Sequence, residues 1–281
     1  MTSLGIASSW ICAIDLIIVE RGLLIHRGEG VPLRFYEAVL EEAGSSATSP
    51  VKRVLLGWFY SAMELEDGRS SLCSSPSVGR ESIPPFSREP SSLVGLDPRE
   101  LLPLLLSPYP GERVLGMLAA GCLLAGSGDP CDPEELFGSL RGSKVALLGF
   151  EPFLGERISR FASELKVFDD EAVPRRGFLP EWSWRSLGPG FDAIVVSDLS
   201  LLKGWMSDLS PSALPPQAKL LFVGSGLPMG FSGYGALGAQ AVASLRPQDL
   251  EGVFSCVAEG KGLRALERFA AWEISKVAGG G

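Results

Sequence analysis

The 281-residue sequence has one histidine, His26, and five cysteines with no C-x-x-C pair among them. Serine–histidine triads, histidine-rich zinc sites and the facial iron triad all need more histidine than this. His26 itself sits beside Arg27 in a stretch that reads as peripheral. Cys12, Cys73, Cys122, Cys131 and Cys256 are odd in number and widely scattered. That pattern lacks the close ligand pairs of a structural zinc site, so the cysteines read as ordinary thiols. Long apolar runs are also missing, although the mean hydropathy is +0.22. A spanning helix needs ~20 mostly apolar residues, whereas the best run, Trp10 to Val19, is short and contains Asp15. A secretory signal would put positive charge before its apolar stretch, but the first basic residue, Arg21, follows it. Basic clusters are lacking too: Lys+Arg number 25 against 33 Asp+Glu, a net charge of −8. That balance opposes binding to phosphate backbones and anionic lipid surfaces. The expectation is a soluble cytoplasmic protein with neither nucleic acid nor membrane as partner.

What is present falls into an N-terminal extension (residues 1–30) and two domains (31–134 and 135–281). Ile11 to Val19 reads as an edge strand or a docked helix. In the first domain, Pro32 to Ala43 has Phe35, Ala38 and Val39 at helical spacing. Val51 to Glu66 is rich in β-branched and aromatic residues, and Glu66-Asp67-Gly68-Arg69 joins it to Ser70–Ser74 as a hairpin. A span rich in serine and proline runs on to Pro90, and Gly111 to Ala125 reads as a buried helix. The turn cluster Gly126 to Pro133 precedes a different pattern.

After it, short apolar strands alternate with helices. Lys144–Leu148, Lys166–Phe168, Asp192–Val196 and Lys219–Val223 read as strands, with Ala239–Ser244 as a short fifth. Glu156–Glu164 and Leu199–Met206 read as helices between them, and Pro247–Ala258 and Leu263–Lys276 as two closing helices. Such alternation marks a parallel sheet covered on both faces, so the class is α/β, an α+β unit followed by a Rossmann-like domain.

Ligands of open parallel sheets bind beyond the carboxyl ends of the strands. Those positions hold Gly149 and Glu151 after the first strand, Asp169-Asp170 after the second, Ser197-Asp198 after the third, and Gly224-Ser225 after the fourth. Gly149 to Gly155 (GFEPFLG) lacks the G-x-G-x-x-G spacing that admits a pyrophosphate, and Glu151 would repel one. A phosphate-free nucleoside such as S-adenosylmethionine fits better, with Asp169 on its ribose. Hard cations take several oxygen ligands; Glu64, Glu151, Asp169, Asp170 and Asp198 are the available carboxylates. Glu64 stands out because it interrupts an apolar strand.

The run Gly57 to Arg69 (GWFYSAMELEDGR) resembles the strand–turn–strand of the putative heavy-metal chelation family. Glu112–Leu124, Lys144–Gly149, Asp192–Ser197, Gly224–Pro228 and Gly260-Lys261-Gly262 resemble its later segments, in the same order. Two places depart from the family pattern: Ser197-Asp198-Leu199-Ser200 replaces a Gly-Ser/Thr segment, and Ser71-Leu72-Cys73 replaces Gly-x-Ala. The resemblance implies an enolase N-terminal-like domain, a Rossmann-like domain and a site in the cleft between them.

The leading expectation is therefore a divalent metal ion, a metal complex or a small chelating molecule in that cleft. Glu64, Glu151 and Asp198 are the metal-side candidates; Gly149, Asp169, Ser197, Gly224 and Ser225 are the ligand-contacting ones. The alternatives are a transferase using S-adenosylmethionine or a nucleoside, and a non-catalytic oligomeric module, such as a homodimer, with Trp182, Trp184 and Trp205 on its surface.

Overall fold

The computed structural model describes residues 35–76, 93–126, 128–170, 177–187, 190–204, 214–215 and 217–277. Cys12, His26, Trp205 and the Trp10 to Val19 segment lie outside them. All described elements belong to one compact unit, Leu33–Gly281.

The order is α1 (Phe35–Gly44), β1 (Val51–Leu56), β2 (Tyr60–Leu65), β3 (Ser70–Ser74), α2 (Pro110–Leu123), β4 (Asp129–Pro130), α3 (Pro133–Gly138), β5 (Lys144–Leu148), α4 (Pro152–Ser159), β6 (Glu164–Phe168), β7 (Phe178–Leu179), α5 (Trp184–Leu187), β8 (Ala193–Ser197), α6 (Asp198–Lys203), β9 (Lys219–Gly224), β10 (Ala239–Pro247), α7 (Leu250–Ala258), α8 (Leu263–Leu266) and β11 (Ala270–Lys276). They build a three-stranded sheet, β1-β2-β3, and an eight-stranded sheet, β4-β11-β10-β9-β8-β5-β6-β7.

The small sheet is antiparallel throughout. Its expected hairpin forms at Asp67-Gly68, where Gly68 takes φ +87°, a conformation that L side chains disfavour. In the large sheet, β7-β6-β5-β8-β9-β10 run parallel. The chain winds outward one way from β5 and the other way from β8, so the direction of winding reverses between these neighbours. Both faces are covered, as the continuous apolar strands require. Ala146, Leu148, Ile194, Val196 and Phe222 pack with α1, α2 and α6. Val145, Leu147, Val195, Leu221 and Val223 pack with α3, α4 and α7 on the other side.

Each strand of the small sheet also contributes to one or both cores. Met63, Leu65 and Cys73 join the first, while Tyr60, Ala62 and Leu72 join the second. That two-sided burial explains why β2 shows no polar–apolar alternation.

The C-terminal end differs from expectation. Residues 263–276 form a four-residue helix and then β11, which pairs antiparallel with β10. Leu263, Leu266, Phe269 and Trp272 recur every third residue and so mimic a helical stripe. The chain turns at Glu267–Phe269, however, and Ala270 and Trp272 then alternate inward as strand residues. The preceding helix starts at Leu250, capped by Asp249, because residues through Pro247 extend β10. Trp184 is buried at 4% exposure, while Trp182 is 73% exposed.

Candidate functional site

Glu151 and Asp198 follow β5 and β8, the two strands that flank the reversal of winding. In open α/β sheets that place is where ligands bind. Here the crevice is roofed by the small sheet, whose β2 and β3 supply Tyr60 and Ser74.

Asp198 is fully buried and accepts four hydrogen bonds. Its Oδ2 receives Ser74 N–H (3.2 Å), Gly226 N–H (2.9 Å) and the Ser225 hydroxyl (2.9 Å). Oδ1 receives the Ser74 hydroxyl at 3.1 Å. Burial pushes its pKa upward, and these donors oppose that shift. Close approach demands small neighbours: a Cβ on Gly224 would lie 2.7 Å from Asp198 Cγ, and one on Gly226 2.7 Å from Cys73 Sγ. The Gly224-Ser225-Gly226 turn therefore grips Asp198 and β3.

Glu151 is 5% exposed, and only its Oε1 is satisfied, by the Tyr60 hydroxyl at 2.9 Å. Its Oε2 is buried with no hydrogen-bond partner. Burial, with the nearby charge of Asp198 adding to it, pushes this carboxyl up to about 8. Burial and the Glu151 charge likewise hold the Tyr60 hydroxyl in its protonated form.

Asp169 Oδ2 accepts Phe150 N–H at 2.6 Å and Oδ1 accepts Lys203 Nζ at 2.7 Å, so the ends of β5, β6 and α6 are tied together. The carboxylate expected on a ribose is thus engaged by the protein itself. Ser197 caps α6 through Ser200 N–H and donates to Gly149 O at 3.1 Å. Gly149 has φ +79°, and a Cβ there would meet Ser197 Oγ at 2.4 Å. Gly149 and Ser197 therefore shape the strand ends.

Glu64 shares the β2 face of Tyr60 and Ala62 but lies four residues along the strand from Tyr60, a rise of about 13 Å. It accepts Lys52 Nζ at 2.8 Å and Arg53 Nε at 2.6 Å. The register shift between Val51 and Arg53 lets both cations reach one carboxylate. Burial alone would raise its pKa, but the Lys52 and Arg53 hydrogen bonds outweigh that and hold it low.

A cleft of about 600 Å³ opens beside Glu151. Phe59, Tyr60, Phe150, Pro152, Phe153, Leu199 and Leu263 form its apolar walls; Ser74, Ser75, Glu151, Asp169 and Lys203 are its polar side chains. Tyr60, Ser74 and Lys203 escaped the sequence reading. Ser74 in particular falls in a serine- and proline-rich span with no pattern to set it apart.

The residues present do not suit a bare metal ion. Among the described residues no group of three or more His, Cys, Asp or Glu converges. Asp198 already has four donors, and Glu64 is held elsewhere. The thiol of Cys73 is pushed well up by burial and by the Asp198 and Glu151 charges, against the thiolate form that metals bind.

Fold and site together define an α/β protein whose carboxyl strand ends are roofed by a small antiparallel sheet. The family model described as DUF364, Putative heavy-metal chelation, matches residues 132–276, more than half the sequence, and the chain belongs to this family. It is similar in fold to a DUF364 protein of unknown function from Desulfitobacterium hafniense DCB-2, at 17% identity and TM-score 0.67, covering 86% of this chain and 96% of that one. A DUF364 protein of unknown function from Pyrococcus horikoshii is similar at 17% identity and TM-score 0.62, covering 87% of this chain and 98% of that one. No curated protein matches the chain. No helix of the described residues is long and apolar enough to cross a membrane.

Proposed function

We propose that this chain binds a metal complex or a small chelating molecule in the cleft beside Glu151, as a cytoplasmic protein of heavy-metal handling. In this reading an enolase N-terminal-like domain ending near residue 134 closes over a Rossmann-like domain. The observation that carries it is Glu151 Oε2, a buried carboxyl oxygen with no partner in the wall of an otherwise satisfied cleft. Buried polar atoms left unpaired cost free energy, and such exceptions mark functional sites. The family description supports the metal side of the reading, and the strand-end position supports the ligand side.

Native mass spectrometry of untagged protein, purified without chelators, tests it against the denatured mass. An excess equal to an organic molecule, with or without a metal ion held by it, is expected. An excess near an adenosyl compound would replace it with the S-adenosylmethionine reading. A dimer mass with no excess would shift support to an interaction module.

A further inference from the structure

A metal complex could be recognised at its metal or at its organic body, and the hydrogen-bond inventory of the cleft walls separates the two. Among the polar side chains facing it, the Ser74 hydroxyl is committed to Asp198 and Asp169 is paired with Lys203. Ser75 Oγ lies 2.8 Å from Ser61 Oγ. Glu151 Oε2 remains, and the groups facing Glu151 give it little reason to ionise. The Tyr60 hydroxyl on β2, at 2.9 Å, and the Ser74 hydroxyl on β3 both favour its charge, but together they fall short of offsetting its burial. From the β8–α6 junction comes Asp198, whose four donors favour its own negative charge. Cys73 on β3 adds only a buried thiol. The ammonium among the lining residues, Lys203, is held by Asp169.

A carboxyl in that setting is accommodated as the neutral acid, with one O–H to give. A neutral acid is a poor ligand for a bare cation and a good donor to an organic acceptor. The rest of the cleft points the same way. Its volume falls within the range of small-molecule sites, roughly 300–1,000 Å³. Phe59, Tyr60, Phe150 and Phe153 give it aromatic walls, which suit a flat apolar body.

Resting on the cleft reading above, we propose that the site recognises a planar organic molecule through a hydrogen bond from the Glu151 carboxylic acid to an oxygen or ring-nitrogen acceptor. A metal enters only as cargo already held by such a molecule; the cleft itself does not ligate a free cation.

Isothermal titration of the full chain at pH 7 with 8-hydroxyquinoline, with 2,3-dihydroxybenzoate and with Zn²⁺ alone tests this. Glu151→Gln keeps a donor in place, whereas Glu151→Ala removes it. The expected result is saturable binding of at least one organic probe, held within about threefold by Glu151→Gln and weakened at least tenfold by Glu151→Ala. Zn²⁺ alone should give no stoichiometric binding that depends on Glu151. A second measurement needs no ligand and is free of folding effects in the alanine variant. Carboxyl-carbon NMR of the wild type, with the Glu151 resonance assigned by its loss in Glu151→Gln, should show a neutral acid at pH 7.

Stoichiometric Zn²⁺ binding that Glu151→Gln abolishes would overturn this inference while leaving the cleft reading standing. So would an ionised Glu151 at pH 7, or organic binding indifferent to Glu151→Ala. Absence of saturable binding by all three probes would count against both.

Discussion

Glu151 and Asp198 stand at the ends of adjacent parallel strands, yet Asp198 receives four hydrogen bonds and Glu151 receives one. Two buried carboxyls in unequal surroundings separate into an ionised and a protonated member. The Ser74 amide and hydroxyl, the Ser225 hydroxyl and the Gly226 amide all converge on Asp198. That carboxylate is therefore the structural clasp between the two sheets, and Glu151 is left as the group with unused capacity.

Stability should depend on pH through Glu151. Its folded value, about 8, lies above the ordinary carboxyl value of an unfolded chain. Between those two values the folded state holds one proton more than the unfolded state, so stability falls as pH rises. The slope from this group approaches about 1.4 kcal/mol per pH unit. Glu151→Gln abolishes the titration. Urea unfolding from pH 5 to pH 9 should show the variant gaining on the wild type as pH rises, with the gap levelling off above pH 8.

Removing the clasp has the opposite character. Asp198→Ala leaves two backbone amides and two hydroxyls without their acceptor, and a buried donor left unpaired costs about 1–3 kcal/mol. The variant should lose on the order of 3 kcal/mol or more in denaturant unfolding, with the loss shared across both sheets. Asp198→Asn removes the charge with little change in volume. It should draw the Glu151 titration, followed by carboxyl-carbon NMR, to a lower pH than in the wild type.

The sequence showed the large sheet better than the site. Lys144–Leu148 and Lys219–Val223 are short apolar runs, and a doubly covered parallel sheet leaves that trace directly. The positions of Asp198 and Glu151 just beyond the ends of β8 and β5 were legible from the short apolar runs that precede them. Glu64 drew notice as a charge in an apolar strand, but its partners Lys52 and Arg53 lie across a register shift that no periodicity announces. Tyr60 and Ser74 meet Glu151 and Asp198 across 91 and 124 residues of chain, and contacts so distant in sequence have no local signature. Residues 263–276 look helical in sequence because three-residue apolar spacing suits a helix stripe as well as a short helix, a turn and a strand in succession.

Glu64 should prove dispensable for the cleft. Its partners are Lys52, whose side chain is 55% exposed, and Arg53, which also reaches Glu251. The Glu64 side chain itself is 5% exposed but its partners reach solvent, so Glu64→Gln should cost on the order of 1–2 kcal/mol, between an exposed pair and a buried charged hydrogen bond. Because its folded pKa is depressed, the contribution is present above the unfolded carboxyl value and lost as pH falls through the lower folded one. Wild type and variant should converge in acid unfolding, and affinity for any cleft ligand should be unchanged in calorimetry.

Lys203 links stability to the position of Glu151. Its ammonium lies 2.7 Å from Asp169 and 3.9 Å from Glu181, all three side chains being largely buried. The other oxygen of Asp169 holds Phe150 N–H, one residue before Glu151. Lys203→Met strips one cation from a buried carboxylate, and breaking such a pair costs up to about 3–5 kcal/mol. Asp169→Asn in the same chain removes that charge and should recover part of the loss. A double-mutant cycle on unfolding free energy should give a coupling on the order of 2 kcal/mol. Ligand affinity separates the two roles of Asp169. The double variant retains an amide oxygen that can accept Phe150 N–H, so it should bind a cleft ligand more tightly than Lys203→Met alone. Equal affinities in the two variants would mean that the Phe150 anchor does not set where Glu151 stands.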